Sequence, residues 1–418
     1  MNQEVVLDKS FAKADNGARY LIIAFLVWPF LGFLLALRNL RGRLNGVIIY
    51  LFFLLYGLTF VINPAMDGQR YANNLKAAYN KSVSYDEFLP SLYAENGSVD
   101  LLEPGLVFLI SRVTSEHYLL FVCFAAIFGF FYLKSIKIAY QQYIESRNFN
   151  ALVFFLFFPW IIPIFEINGF RFWTASWMFF YSSYMILVYG NKKYLLLALS
   201  VCFVHFSFLS LNIVLLLYLL LGDRKNIYFI VSILTLFISE LDLQGLRELA
   251  ASFDGSLSTK ANRYLHEDYV EYVTDLNQSA AWFMKLYTPL LFYFVLAHLI
   301  FVYIKLRKIT VPKSFLSLFC FSLLVLSFSN LSSLIPSGAR FRSVFMLFSI
   351  SMLVYFYSSI YKMPKLNWFV IICAFPFLLK VLISIRVGAD TLNTVLFMPG
   401  PVIATMYNLP FPVKDWLF

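Results

Sequence analysis

The run YLLLALSVCFVHFSFLSLNIVLLLYLLL, from Tyr194 to Leu221, decides how this chain is folded. Its 28 residues exceed the roughly 20 that one membrane crossing needs. Lys192-Lys193 precedes the run and Arg224-Lys225 follows it, and such residues concentrate in cytoplasmic loops. Both ends should therefore lie on one side of a membrane. We predict a helical hairpin with its tip near Val204 to Ser207, a break tolerated only where it packs on protein or lines a polar cavity.

The composition of the whole chain agrees with a membrane protein. Of 418 residues, 61% are hydrophobic and only 13% are charged, and the mean hydropathy is +0.74. Ordinary soluble domains carry about 25% charged residues, so a soluble fold is excluded. The net charge of +10 is therefore interpreted as a guide to sidedness, and we expect no nucleic-acid partner.

Apolar runs of near-spanning length recur along the sequence. We predict a single all-α polytopic domain over residues 1–418, embedded in the lipid bilayer, with about ten spanning helices plus the hairpin. The ten runs are Leu21 to Leu37, Val47 to Asn63, Tyr118 to Leu133, Ala151 to Phe165, Phe172 to Tyr189, Ile227 to Ser239, Ala281 to Ile304, Ser314 to Leu334, Phe341 to Tyr361 and Leu366 to Ile385.

The few charges predict the orientation of these helices. Six short loops carry a combined charge of +14, which favours the cytoplasmic side. Two long loops are acidic, with net charges of −3 over residues 64–117 and −5 over residues 240–280. We expect both long loops on the extracytoplasmic side. A single crossing at the hairpin would reverse the side of every later loop and break this pattern.

With this topology, polar residues from five separate segments meet at the extracytoplasmic end. These candidates are Asp67, Arg70, Tyr71, Glu103, Arg112, Glu166, Asn168, Arg171, His205, Arg340 and Arg342. An arginine near the membrane core costs about 3 kcal/mol on insertion scales, so it tends to face a partner, water or a ligand. Asp67 and Glu166 are counterions in the simpler interpretation. Three arginines beside one histidine favour a bound phosphate or diphosphate instead.

Two details constrain this predicted site. Arg340 and Arg342 are two residues apart and would point to nearly opposite sides of a helix, so one belongs to the preceding turn or only one contacts the ligand. His205 is either a general base or a histidine bonded to a backbone carbonyl freed at the hairpin tip. Asp67 and Glu103 are alternative bases or sugar-hydroxyl ligands. No metal-binding spacing is present, and we expect neither a metal nor a cofactor.

Four short motifs resemble a known family. The segments Asp67-Gly-Gln-Arg-Tyr71, Asn168-Gly-Phe-Arg171, Val204-His205-Phe-Ser207 and Arg340-Phe-Arg342 resemble, in order and approximate spacing, the EpsG family of bacterial exopolysaccharide proteins. That family is grouped with the Wzy-type O-antigen and capsule polymerases. The resemblance spans roughly Leu21 to Lys365, and it implies a GT-C or Wzy-like membrane fold.

The resemblance also implies an activity and a location. Such enzymes join repeat units carried on undecaprenyl diphosphate by metal-independent, inverting glycosyl transfer at the outer face of the bacterial inner membrane. By this resemblance Arg171, Arg340 and Arg342 would hold the donor diphosphate, and His205 would take the acceptor proton. Asp67 and Arg70 would orient a sugar. A flippase and a chain-length regulator would be partners.

Two other functions remain open at this stage. A transporter or flippase of a lipid-linked sugar would also use broken helices and intramembrane arginines, although transporters usually contain paired repeats and only one hairpin is found here. A membrane acyltransferase with His205 as its base is a weaker alternative, since no acyl-donor site can be located.

Overall fold

The structure is a computed structural model of the chain. It describes residues 18–93, 100–239, 281–361, 367–406 and 412–417, together with the single positions 245, 248, 275 and 279. Most of the predicted 240–280 loop therefore lies outside the described residues. Within the described residues the fold is all-helical, with no strand beyond one isolated bridge between Asn393 and Pro412.

The helices vary widely in length, and we number them in chain order. They are α1 (Ala18–Val27), α2 (Pro29–Leu37), α3 (Arg43–Leu58), α4 (Asp67–Lys81), α5 (Tyr85–Tyr93), α6 (Leu102–Ile110), α7 (His117–Ile144), α8 (Phe149–Phe157), α9 (Phe170–Leu187), α10 (Tyr194–Ser200), α11 (Phe208–Leu221), α12 (Lys225–Leu234), α13 (Trp282–Lys305), α14 (Lys313–Ser332), α15 (Phe341–Tyr355), α16 (Trp368–Ala389), α17 (Gly400–Met406) and α18 (Val413–Leu417). Short 3₁₀ turns are Phe158–Trp160, Ile164–Gly169, Val201–Phe203, Thr235–Phe237, Gly338–Arg340 and Thr394–Phe397, and Phe356–Ile360 is a π-helical turn.

Six helical segments of the described chain are long and apolar enough to cross a membrane. They are His117–Ile144, Phe149–Leu187, Lys285–Lys305, Lys313–Ser332, Gly338–Ile360 and Trp368–Ala389. The chain thus has the helices of a multi-pass membrane protein. The two spans predicted between Ala151 and Tyr189 fall within one of these segments, which 3₁₀ turns interrupt.

Four further apolar helices have 10 to 17 residues, too short to cross at the usual ~1.5 Å rise per residue without thinning or interior packing. The predicted first span, Leu21 to Leu37, is divided into α1 and α2 at Trp28 and Pro29. The prediction of about ten crossings therefore stays a prediction.

The hairpin tip predicted near Val204 to Ser207 is confirmed as a break in the helix. The run forms α10, a 3₁₀ turn and α11, and residues 204–207 separate the last two. The Asn212 side-chain amide donates to the Leu199 carbonyl at 3.3 Å. These two residues lie at nearly equal distances from the break, which is the pairing expected of two antiparallel legs.

Aromatic packing in the core positions the site. Helix α9 is buried along most of its length, and its Phe170 ring stacks on Phe124 of α7 with centroids 3.9 Å apart. Such pairs add about 0.5–1.5 kcal/mol beyond their burial. Helix α7 also lies close to α3, where a Cβ on Gly57 would be 2.8 Å from the Ala125 side chain. The start of α9 is therefore held rigidly, and Arg171 projects from its first turn.

Candidate functional site

A cavity of about 350 Å³ lies where the turns before α4, α9 and α15 meet the tip of the hairpin. We call it the main cavity. Seven of the predicted site residues line it, from four separate segments: Asp67, Tyr71, Glu166, Asn168, Arg171, His205 and Arg340. Arg70, Glu103 and Arg342 are not among its lining residues.

Arg171 is fixed in the cavity wall by an ion pair that the sequence did not predict. Its Nη1 donates to Asp100 Oδ2 at 2.8 Å, and the two side chains are 23% and 2% exposed. The guanidinium also bonds to the Tyr71 hydroxyl. Its buried Nε has no partner among the described residues. The arginine is thus held in place by two groups while one donor is left unused by the protein.

Asp100 also holds the hairpin break. Its Oδ1 accepts a hydrogen bond from the Phe206 backbone N–H at 2.9 Å. The adjacent Leu101 N–H donates to the Phe203 carbonyl at 2.7 Å. Backbone groups freed by a helix break in a membrane must find partners, and here one loop supplies both. A single buried carboxylate therefore fixes the positions of Arg171 and the hairpin tip together.

His205 stands at this tip and faces the cavity. Its Nδ1 and the Ser207 Oγ are 2.8 Å apart. The imidazole meets the Phe172 ring edge-on, with centroids 5.3 Å apart. The histidine is therefore oriented by a hydroxyl on one side and an aromatic face on another, and its position in the cavity wall follows from the break in the helix.

Two of the sequence motifs are joined directly. Asn168 Oδ1 accepts a hydrogen bond from the Gly68 N–H at 2.9 Å, which satisfies one of the free donors at the start of α4. A Cβ at Gly68 would lie only 2.6 Å from that oxygen, so a larger residue there would displace the Asn168 amide from this hydrogen bond. Asp67, the first residue of α4, lies at the cavity rim and forms an ion pair with Arg70, whose Nη2 is 3.2 Å from Asp67 Oδ1. Arg70 is half exposed, and this ion pair accounts for its charge.

The two arginines of the Arg340-Phe-Arg342 motif point to different places, as their spacing requires. Arg340 ends the 3₁₀ turn Gly338–Arg340, with its guanidinium carbon 5.9 Å from the Phe172 ring centroid. Arg342 lies inside α15 and donates to Ser333 Oγ at 3.2 Å. It lines a second, separate cavity. Arg340 is thus the member of the pair in the main cavity.

The acidic candidates also separate. Glu166 lines the main cavity, where its carboxylate interacts electrostatically with Lys380 and Arg340. Glu103 is 5% exposed and lies behind Arg171, and burial raises the pKa of its carboxyl. Arg112 lies elsewhere, bonded to the Val83 carbonyl and placed over the Phe108 ring.

Comparison with known proteins now places the chain. The family model described as the EpsG family matches residues 44–399. The chain belongs to the EpsG family. The matched range contains every residue that lines the main cavity of this EpsG-family protein. No match is found among curated proteins or among solved structures.

Two charged residues of this EpsG-family site were missed from the sequence. Lys380 of α16 lines the main cavity, and a lysine inside an otherwise apolar span is a signal that the sequence did contain. Asp100 had no such signal, since it is one of seven acidic residues in the long 64–117 loop. Only its proximity to Arg171 in the folded chain distinguishes it.

Proposed function

We propose that this EpsG-family protein is a polysaccharide repeat-unit polymerase. It would transfer glycan from an undecaprenyl-diphosphate-linked donor to a lipid-linked acceptor by metal-independent, inverting glycosyl transfer. The charge pattern of the loops supports an active site that faces the periplasm or exterior of a bacterial inner membrane. Family membership and the apolar helices support the general class, and the main cavity supports the chemistry.

One observation carries the proposal: three cations converge on the main cavity from three parts of the chain. Arg171, Arg340 and Lys380 all line it, beside the carboxylates of Asp67 and Glu166. Asp100 offsets part of the Arg171 charge from behind, whereas no carboxylate lies within ion-pair distance of Arg340 or Lys380 among the described residues. A diphosphate is the ligand whose geometry suits paired guanidinium donors.

The proposed step is a single displacement at the anomeric carbon. The acceptor hydroxyl oxygen attacks, the bond from that carbon to the diphosphate oxygen breaks, and the lipid diphosphate leaves with the electron pair. Negative charge grows on the leaving oxygens as the bond lengthens. Arg171 is held in place before reaction by Asp100, so it stabilises that charge without reorganising, and Arg340 adds a second cation from the cavity wall.

The proton of the acceptor hydroxyl passes to His205 in this proposal. For Nε2 to accept it, Nδ1 must carry the hydrogen and donate to the Ser207 Oγ, which lies 2.8 Å away. Asp67 lines the same cavity and is the alternative base. Glu103 does not line the cavity, and its interaction is an electrostatic one with Arg171.

The test is chain elongation by purified protein supplied with lipid-linked repeat units and a metal chelator. We expect longer glycans from the wild type. Arg171→Ala should lower the rate by about 10²- to 10³-fold, as loss of a charge-stabilising donor does. His205→Ala should lower it by about 10²- to 10⁴-fold, as loss of a general base does.

Arg307→Ala is the matched control, because this exposed arginine lies in the short loop after α13, and it should keep full activity. Because Arg171→Ala also breaks the buried ion pair with Asp100, its melting curve should shift, and the rates are compared at a temperature at which every variant is folded. Full elongation by both Arg171→Ala and His205→Ala would overturn the assignment.

A transporter of the same lipid-linked sugar is the second candidate, and the interrupted hairpin favours it. Helices broken at mid-membrane form binding sites in many transporters. The distinguishing measurement uses protein in liposomes with labelled lipid-linked sugar. Movement of the label across the bilayer without any change in glycan length would support transport and contradict polymerisation.

A further inference from the structure

The second cavity differs from the main cavity in its chemistry. It has a volume of about 100 Å³ and lies between helices α13, α15 and α16 and the end of α8 with its following turn. Apolar side chains such as Leu291, Phe292, Met346 and Phe377 form most of its wall. Among the described residues that line it there is no aspartate or glutamate, but Arg342 and Lys380 are both present. It is thus a small, apolar, cationic cavity.

Arg342 is poorly compensated in this position. Its protein contacts are the Ser333 hydroxyl and the Phe292 ring, whose centroid is 5.2 Å from the guanidinium carbon. Its Nε is buried and has no hydrogen-bond partner among the described residues. No carboxylate of the described chain forms an ion pair with it.

This environment points to a ligand rather than to an arginine reaching for solvent. An arginine that snorkels extends its head into water along an apolar surface, whereas the Arg342 Nε is buried. A cation inside a membrane-spanning segment usually faces a partner or a substrate pathway. The chemistry required is an anionic group attached to an apolar chain, because both cations and apolar walls are present.

The two cavities are neighbours with a shared wall. Tyr287 of α13 and Lys380 of α16 line both of them. Their common boundary therefore carries a cation that can reach a phosphate on either side. The main cavity is polar and roomy enough for sugar, whereas the second cavity is apolar and has room for only a short piece of chain.

We propose that one polyprenyl diphosphate occupies both cavities, with the second cavity taking its lipid side. The sugar-bearing phosphate lies with Arg171 and Arg340, Lys380 stands at the junction, and Arg342 contacts the lipid-side phosphate. The first isoprenoid unit packs against Phe292, Met346 and Phe377. This inference rests on the proposed function and adds to it a subsite that recognises the lipid carrier by its hydrocarbon.

The test measures binding of sugar-free ligands to the purified full-length protein, so it does not depend on elongation. Farnesyl diphosphate and inorganic diphosphate compete with a labelled polyprenyl diphosphate. Burial of one five-carbon unit should make farnesyl diphosphate at least about tenfold the better competitor for the wild type.

Two variants locate the effect. Met346→Trp fills the second cavity and should remove the preference for farnesyl diphosphate while competition by inorganic diphosphate is unchanged. Arg342→Gln should weaken both competitors about tenfold through loss of a charged hydrogen bond to the lipid-side phosphate, and it keeps the proposal testable if Met346→Trp does not fold. The controls are Leu378→Trp and Arg386→Gln, two exposed positions on α16, which should both bind as the wild type does.

Three results would overturn the inference. They are equal competition by the two ligands in the wild type, a preference that Met346→Trp leaves unchanged while Arg342→Gln binds both ligands as the wild type does, and displacement of farnesyl diphosphate from the second cavity by phosphatidylglycerol, which would assign it to bulk lipid. Elongation together with any of these results would refute this subsite and leave the polymerase function standing. A preference that Met346→Trp removes, without any elongation, would support the subsite and contradict the polymerase function.

Discussion

Two helix interruptions in this protein are produced in different ways. Residues 158–169, FPWIIPIFEING, contain Pro159, Pro163 and Gly169, and they form two 3₁₀ turns between α8 and α9. Residues 201–207, VCFVHFS, contain neither proline nor glycine. The first interruption is caused by residues within it, since proline removes a backbone N–H donor and clashes with the preceding helical turn.

The second interruption depends on a distant residue. Asp100 accepts from the Phe206 N–H, and Leu101 donates to the Phe203 carbonyl. A helix break caused by several of its own residues should persist when one of them is replaced. A break held by one remote carboxylate should be lost when that carboxylate is replaced. Replacing one residue at each interruption tests that difference.

Replacing Asp100 should be the most damaging single change. Asp100→Asn keeps an acceptor for the Phe206 N–H but leaves the Arg171 guanidinium without its countercharge. Breaking a buried ion pair on one side costs about 3–5 kcal/mol. Asp100→Ala should cost about 1–3 kcal/mol more, because the backbone donor is then unsatisfied as well. Thermal melting of the purified protein measures both. Asp86→Asn, in the exposed part of α5, is the control, and a wild-type melting curve for Asp100→Ala would contradict the tether.

Replacing Pro163 should have a much smaller effect. Its φ of −69° is the N-cap geometry of the second 3₁₀ turn, and the Trp177 indole N–H also holds this segment by donating to the Ile162 carbonyl at 3.1 Å. Pro163→Ala should therefore cost about 1 kcal/mol or less, chiefly through the unfolded chain. Pro312→Ala, at the exposed N-cap of α14, is the matched control for that unfolded-state part. If Pro163→Ala lowered stability as much as Asp100→Asn, the distinction between the two interruptions would be wrong.

The pH dependence of Glu103 should give the smallest effect. Burial raises the pKa of this carboxyl above its ordinary value of 4.5, although Arg171 and a hydrogen bond from Asn74 act in the opposite direction. A raised pKa in the folded protein means that folding favours the protonated form, so stability is present below pH 4.5 and is lost as pH rises through the folded pKa.

Glu103→Gln cannot lose that proton. Its stability relative to the wild type should therefore improve as pH rises from 4.5 towards neutrality. Melting temperatures at a series of pH values measure the difference, with the exposed Glu87→Gln as the control. A difference that does not change with pH, or one that falls as pH rises, would show that Glu103 is ionised beside Arg171 and shares the Asp100 role.

The sequence predicted the parts of this molecule that local composition determines. Helical class and membrane character follow from long apolar runs, and the family was predicted from short motifs and is confirmed by the family model over residues 44–399. The break near His205 was predicted from the charges on either side, not from any helix breaker. The positions of these basic residues were informative because the topology restricts which loops can be cytoplasmic.

What the sequence did not predict depends on three-dimensional proximity. Asp100 becomes a key residue only because α9 and the hairpin tip both come within hydrogen-bond distance of it. The separation of Arg340 from Arg342 into two cavities needed the boundary between a 3₁₀ turn and α15, which is set by packing. Lys380 was predictable in principle, since its charge interrupts the apolar run of α16.

Helix α16 has a consequence for how far the lipid-linked substrate of the proposed reaction would have to move. One side of this helix contributes Lys380 and Ser384 to the main cavity, while Phe375, Leu378 and Leu382 on other faces are more than half exposed. The wall between cavity and outer surface is thus a single helix, about 10–12 Å across with its side chains. The headgroup of such a molecule would cross only the width of this helix to reach the cavity. Its hydrocarbon chain would remain in the bilayer throughout.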